Sequence, residues 1–230
     1  MEPSGEVAGK LGSATPLGAW RSAVSGLKLL DRSVLEAGAE EAARDLLGCR
    51  LVSLVGDTVT GGRIVETEAY VGPHDPACHA AERTGRTRRN APMYGRPGTA
   101  YLYFVYGMHW CFNVVTGRVG QPEAVLIRAL EPAIGREAMS KRRDRDRDLT
   151  NGPAKLCSAL GIDGELNEHC LSRPPLLLYE GSPRKEETVG VTGRVGIRRA
   201  RDWPLRFLLE GNPHVSSPSP RPPRSGARME

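Results

Sequence analysis

The sequence predicts an α+β fold: a single domain with a curved, mainly antiparallel sheet, surrounding helices and a protruding β-hairpin. Two observations carry this. Short runs rich in β-branched and aromatic residues come in adjacent pairs separated by turn residues, as hairpins do. There is no sustained β-α-β alternation and no internal repeat, which sets aside doubly wound and solenoid folds. Once the two tails of the 230-residue chain are removed, a core of about 180 residues buries enough surface to fold without disulfides or metal.

The elements follow in order. Residues 1–27 open on a Gly/Ser/Ala/Pro-rich stretch with no signal-peptide core and are expected to be a disordered tail. The domain is placed at 28–215. Leu35 to Leu47 has the spacing of one amphipathic helix, with Gly48 near its end. Residues 49–55 (C-R-L-V-S-L-V) read as a strand ending at Gly56-Asp57. Gly61-Gly62 reads as a turn and Arg63 to Val71 as a second strand, so the two strands make a hairpin. In the second strand Ile64, Glu66, Glu68 and Tyr70 share one face, and Val65, Thr67, Ala69 and Val71 the other.

His74 to Pro97 is a long polar loop of the kind that is usually functional or disordered. Tyr101 to Val115 reads as a hairpin turning near Gly107-Met108. Ala124 to Leu130 is a strand and Ile134 to Lys141 a helix. Arg142 to Asp148 is a charge-alternating solvated run. Asn151-Gly152-Pro153 is a turn before a short helix at Ala154 to Leu160. Leu176 to Tyr179, Arg194 to Ile197 and Pro204 to Leu209 are short strands. Residues 216–230, rich in Pro, Ser and Arg, cannot bury a core and read as a second disordered tail.

Composition narrows the function classes. A formal charge of +5 and a pI near 9.1 permit a polyanion partner. Of the 32 cations 27 are arginine, which forks onto phosphate or lies flat on a base; a GC-rich genome produces the same bias. The 5 cysteines form no C-x-x-C pair and read as reduced thiols in a compartment of cytosolic type. No apolar run reaches the roughly 18 residues of a membrane span.

The chemistry concentrates between Arg63 and Asn113. Glu66, Glu68 and Tyr70 alternate on one strand, which can hold a carboxylate rigidly enough to activate water. On local pattern alone, alternating glutamates more often mark the solvent-facing side of a strand. His79 and a run of arginines (Arg83, Arg86, Arg88, Arg89) follow. Residues 101–113 then carry six of the chain's 12 aromatics. Tyr106-Gly107-Met108 falls at the tip of the second hairpin, where large side chains suit a wedge between stacked bases. The spacing of His74 and His79 lacks the further ligands of a zinc site. No G-x-S-x-G, P-loop or G-x-G-x-x-G is present.

Five segments carry a resemblance in order: R-I-V-E-T-E-A-Y-V-G-P-x-D-x-A-x-H, R-N-x-x-M-Y, P-G-T-x-Y-x-Y-x-x-Y-G-M-x-x-C-x-N, V-L-I-R-A-L-E-P and G-P-x-K-L-C. From about Leu35 to Ser216 the chain resembles the alkyladenine (3-methyladenine, methylpurine) DNA glycosylases. The resemblance implies an enzyme of base-excision repair that flips a damaged purine from duplex DNA and hydrolyses its N-glycosidic bond. It implies Glu68 as the base that activates water, with Arg128 and the main-chain carbonyl of Val195 as further water ligands. Tyr70, His79 and Tyr103 would sandwich the flipped base, and Asn113 would sit against purine C2. Tyr106, with Met108 beside it, would fill the gap in the stack, while Arg89, Met93 and Lys155 would lie along the DNA.

The implied partner is double-stranded DNA containing damaged purines, with no membrane, no cofactor and no metal. The implied protein is a monomer of the cytoplasm or nucleoid in a bacterium and of the nucleus in a eukaryote. No lysine falls in the base-pocket motifs, so a monofunctional enzyme without strand cleavage is expected. The segment from His79 to Arg89 and the loop Gly117 to Glu123 depart from the family's pattern, which bears on DNA contacts and lesion range. Two other classes fit parts of the pattern: a hydrolase or transferase of free nucleosides, and a non-catalytic DNA-binding module.

Overall fold

The computed structural model describes residues 24–216. Residues 1–23 and 217–230, the bulk of both expected tails, lie outside the described residues. The domain reaches further than 28–215 at both ends: Val24 and Leu27 pack with Val52, Leu54 and Leu177, and Ser216 is buried.

In chain order the elements are α1 (Ser33–Glu36), α2 (Ala39–Asp45), β1 (Arg50–Ser53), β2 (Thr60–Tyr70), β3 (Ala100–Val105), β4 (His109–Thr116) and β5 (Glu123–Ile134). There follow α3 (Arg136–Arg143), α4 (Pro153–Leu160), β6 (Ser172–Arg173), β7 (Leu176–Tyr179), β8 (Val189–Thr192) and β9 (Arg206–Leu209). Single 3-10 turns occupy Ala91–Tyr94 and Gly164–Leu166. The described strands form one curled antiparallel sheet in the order β3-β4-β5-β2-β1-β7-β6, with β9 against β2 and β8 against β9. No helix among the described residues is long and apolar enough to cross a membrane.

Several expected elements change on folding. The single helix over 35–47 is two, because Ala37 and Gly38 are extended (ψ 162° and 159°). Gly61-Gly62 is not the turn; both lie inside β2, opposite Val52 and Leu51. They are glycine because a Cβ at Gly61 would stand 2.8 Å from the Leu51 carbonyl oxygen, and one at Gly62 2.5 Å from that of Glu131. Arg194 to Ile197 is a loop rather than a strand, and β8 stands where no strand was expected.

Strand β2 is the spine. β5 runs along one of its edges, while the other edge is shared by β1 at residues 60–63 and β9 at 66–68. Two compensating irregularities sit at this fork. Ile64 pairs with Leu130 and Glu66 with Ala129, leaving Val65 as an extra residue on β2. Thr67 then pairs with Ile127, leaving Arg128 as an extra residue on β5. Such bulges twist a strand locally and re-aim its side chains. Ile64 therefore does not share the face of Glu66, Glu68 and Tyr70; it enters the main core with Val65 and Ala69.

That core lies between one face of the sheet and helices α2 and α4, which contribute Ala42, Ala43, Leu156, Cys157 and Leu160. Thr67 fastens the layers by donating from Oγ1 to the Ala43 carbonyl at 2.8 Å. The opposite face carries a smaller cluster, in which Cys78, Ala80 and Met93 of the 71–99 connection pack on Tyr101, Val115 and Ala124. The helices thus close one side of the sheet and a loop closes the other.

Candidate active site

Glu66, Glu68 and Tyr70 project from β2 toward the loop-covered face, and both glutamates are fully buried. A buried carboxylate must be paired or hydrogen-bonded. Glu68 Oε1 accepts from the Val195 amide at 2.7 Å and lies 3.2 Å from Arg128 Nη1; Oε2 accepts from the Tyr70 hydroxyl at 3.0 Å. Burial raises the Glu68 carboxyl above the usual carboxylate range, against the opposing pull of Arg128, the Val195 amide and the Tyr70 hydroxyl. A carboxylate held rigidly by three donors has the placement that proton transfer from water requires.

Arg128 reaches this point because it occupies the β5 bulge. Its Nε donates to Glu66 Oε1 at 2.7 Å, so one guanidinium spans both carboxylates. Arg206, from β9, donates to the same Glu66 oxygen at 2.7 Å. Two arginines thus balance two glutamates in a space closed to solvent.

Beside this cluster lies a cavity of about 190 Å³, lined by Tyr70, His79, Met93, Tyr101, Tyr103, Asn113 and Ile197 among others. The rings of His79 and Tyr103 meet edge to face at 4.5 Å. The His79 Nδ1 is 2.7 Å from the Tyr101 hydroxyl. Burial, reinforced by the Arg89 charge, pulls the imidazole down to about 4, so it is neutral near pH 7. Asn113 donates from Nδ2 to the Tyr101 carbonyl at 3.0 Å, which fixes its amide. A larger cleft of about 380 Å³ around Arg32, Arg96 and Arg173 is lined by neither a carboxylate nor an aromatic ring.

Two polar anchors hold the cavity's loop walls. Arg194 and Asp75 form a fully buried pair, with Nη2 2.8 Å from Oδ1, and Arg194 also donates to the Ala69 carbonyl. This ties the 193–197 loop to the end of β2 and places the Arg194 guanidinium 4.8 Å over the Tyr70 ring. Asn90 donates to the carbonyls of His79 and Gly85 at 2.9 and 2.8 Å, which shapes the connection carrying His79.

The hairpin of β3 and β4 ends in Tyr106 and Met108, 85% and 66% exposed. Tyr106 and Gly107 both have positive φ (53° and 67°), as in the primed turns that suit twisted hairpins. A tyrosine in the left-handed region is uncommon and carries a conformational cost. Arg89 lies exposed alongside, its Cζ 5.5 Å over the Tyr103 ring. Lys155, on α4, donates to Asn151 Oδ1 at 2.8 Å. Met93, grouped by the sequence with the residues along DNA, is 2% exposed and lines the cavity, so its side chain has no surface to offer a phosphate.

Folding therefore gathers Glu68, Arg128, Val195, Tyr70, His79, Tyr103 and Asn113 into one region and leaves Tyr106, Met108 and Arg89 on the adjoining hairpin. Sequence reasoning missed Arg206, the Asp75–Arg194 pair and Asn90. An arginine among apolar residues in P-L-R-F-L-L is the one local signal that could have marked Arg206.

Comparison with known proteins places the chain in a family. Residues 33–213 match the family described as Methylpurine-DNA glycosylase. A protein of Carboxydothermus hydrogenoformans named "Putative 3-methyladenine DNA glycosylase" is 48% identical over 191 residues, covering 82% of this chain and 98% of the relative. Relatives of the same printed name from Methanoculleus marisnigri and Rhizobium etli are each 46% identical, over 192 and 189 residues, covering 81% of this chain in both cases and 98% and 88% of the relatives. With a family match over most of its length and relatives near half identity, the chain belongs to the methylpurine-DNA glycosylases, a family of DNA-repair enzymes.

Proposed function

We propose that this DNA glycosylase flips damaged purines, alkylated ones foremost and deaminated or etheno purines in the same cavity, out of duplex DNA and hydrolyses the N-glycosidic bond with Glu68-activated water. One observation carries the reading: a fully buried glutamate, its carboxyl raised by burial, directly behind the tyrosine wall of an aromatic cavity.

In this mechanism Glu68 takes a proton from water, whose oxygen attacks C1′ of the extruded nucleotide. The N-glycosidic bond breaks with its electron pair departing on the purine, so an alkylated cationic base leaves neutral, a neutral deaminated or etheno base takes up a proton from solvent as it leaves, and an abasic site remains. Positioned general-base catalysis contributes on the order of 10²–10⁴-fold. Arg128 and the Val195 carbonyl hold the same water. Tyr70 faces the base from one side and His79 with Tyr103 from the other; electron-poor alkylated rings are favoured by tyrosine faces. With Nδ1 engaged by Tyr101, the neutral His79 reads the purine edge through Nε2 and its amide. Asn113 disfavours the guanine amino group by clash. Tyr106, with Met108, fills the vacated stack, and Arg89 and Lys155 meet the DNA backbone; Met93 serves as a wall of the cavity. No lysine lines the cavity among the described residues, which supports hydrolysis without strand cleavage.

The test uses duplexes that carry one 7-methylguanine, hypoxanthine or ethenoadenine, incubated with chelator and then hot alkali. Strand breaks only after alkali, reduced at least about 100-fold in Glu68→Gln, are expected. Undiminished excision by Glu68→Gln, or breaks without alkali, would overturn the mechanism.

A further inference from the structure

Ser216, at the edge of the expected tail, is bonded through its amide, its hydroxyl and its carbonyl, and the proposed mechanism leaves it without a role. It is 4% exposed. Its amide donates to Glu66 Oε2 at 2.6 Å and its hydroxyl to Glu66 Oε1 at 2.8 Å. The same hydroxyl accepts from Arg128 Nη2 at 3.2 Å, and its carbonyl accepts from Arg206 Nη2 at 3.1 Å. One serine thus engages both buried arginines and the carboxylate between them.

The geometry points to Ser216 as a positioning residue that, through Glu66, aims Arg128 at Glu68. A guanidinium is a rigid planar fork. Arg128 has Nε pinned by Glu66 and Nη2 by Ser216, so the remaining nitrogen, Nη1, is directed at Glu68 Oε1, 3.2 Å away. Remove the serine hydroxyl and the fork keeps one anchor, about which it can swing. Glu66 is no free support either, because it also serves Arg206. β2 and β5 deliver Glu66, Glu68 and Arg128, but the residue that locks their alignment arrives from the far end of the domain, 150 positions from Glu66.

The inference rests on the reading that Glu68 and Arg128 act on the attacking water, and its test separates the two. Ser216→Ala removes only the hydroxyl, and Ser216→Thr restores one. Single-turnover excision by Ser216→Ala should fall about 10- to 100-fold, the scale of a small misplacement of a catalytic group. Duplex affinity should stay within about twofold of the parent, since positioning acts on the chemical step and not on binding. Ser216→Thr should recover most of the rate. Hydrogen exchange at the Arg128 Nε–H, followed by ¹⁵N NMR in the DNA-free protein, should accelerate in Ser216→Ala and not in Ser216→Thr.

A purely structural role for Ser216 predicts a lower Tm with unchanged Arg128 exchange and unchanged rate per folded molecule, and that result would overturn the proposal. If Ser216→Ala does not fold, Ser216→Cys, whose thiol is a weak donor of similar size, takes its place with the same expectations. A parent protein that excises nothing, but whose Arg128 exchange still responds to Ser216→Ala, would remove the proposed function and leave the positioning role standing.

Discussion

His79 shows how one side chain's chemistry follows from where it is put. On the surface it would titrate near 6.5; burial and the nearby Arg89 charge bring it to about 4. The folded protein therefore binds fewer protons than the unfolded chain between those two values. Its contribution to stability is fully present above 6.5 and is lost as pH falls toward 4. The slope from one such group reaches about 1.4 kcal/mol per pH unit. His79→Gln should flatten the fall in unfolding free energy between pH 6.5 and 4, measured by urea titration at several pH values; an unchanged slope would show that the imidazole titrates normally in the fold. The companion case is Glu68, where the wet-strand alternative fails because the residue is fully buried.

At the scale of elements the second hairpin carries the sharpest conflict between stability and use. Its tip holds a tyrosine in a left-handed conformation, φ 53°, that is 85% exposed. A fold selected for stability alone would place glycine there, since strain of this kind costs of order 1–3 kcal/mol. Tyr106→Gly is accordingly expected to raise Tm while lowering excision from fully paired duplex about 10-fold or more. The loss should be smaller where the lesion sits in a mismatch, which costs less to extrude. Excision at the parent rate from paired duplex would dismiss the wedge. The hairpin itself was legible, because aromatic alternation around a Tyr-Gly tip is a local pattern. The break between α1 and α2 was not, because the periodic spacing runs through Ala37 and Gly38 and nothing local marks the extended link.

At the scale of the molecule, the ionic cluster assigned to the proposed chemistry is separate from a second one that ties the strands together. Arg63, on β2, pairs with Glu131 of β5 at 2.5 Å and, through two nitrogens, with Glu187 at 2.6 Å, and Arg184 joins from outside. The Arg63 pairing holds Glu187 down to about 2; Glu131 also falls to about 2, because Arg63, Asn212 and Arg184 outweigh its burial. Their contribution is present above the ordinary carboxylate range and is lost as pH falls through 2. Arg63→Ala leaves two half-buried carboxylates short of a partner and should cost about 3 kcal/mol by denaturant titration. Excision per folded molecule should not change, since Arg63 touches neither Glu68 nor the cavity; a selective loss of rate without loss of stability would contradict this division.

What the sequence by itself determined is local: an α+β pattern, two hairpins, a Glu-x-Glu-x-Tyr strand, an exposed aromatic tip, and motifs long enough to reveal the family. Tertiary structure alone decided which of these face one another. The bulges at Val65 and Arg128 change the side-chain parity of β2 and β5, and a period-two reading has no means of placing an inserted residue. Asp75 and Arg194 are 119 positions apart, Glu66 and Arg206 140, and Glu66 and Ser216 150. Such pairings exist because buried charges must be neutralised by whatever the fold brings near, and that requirement belongs to the assembled interior and leaves no mark on any local stretch of chain.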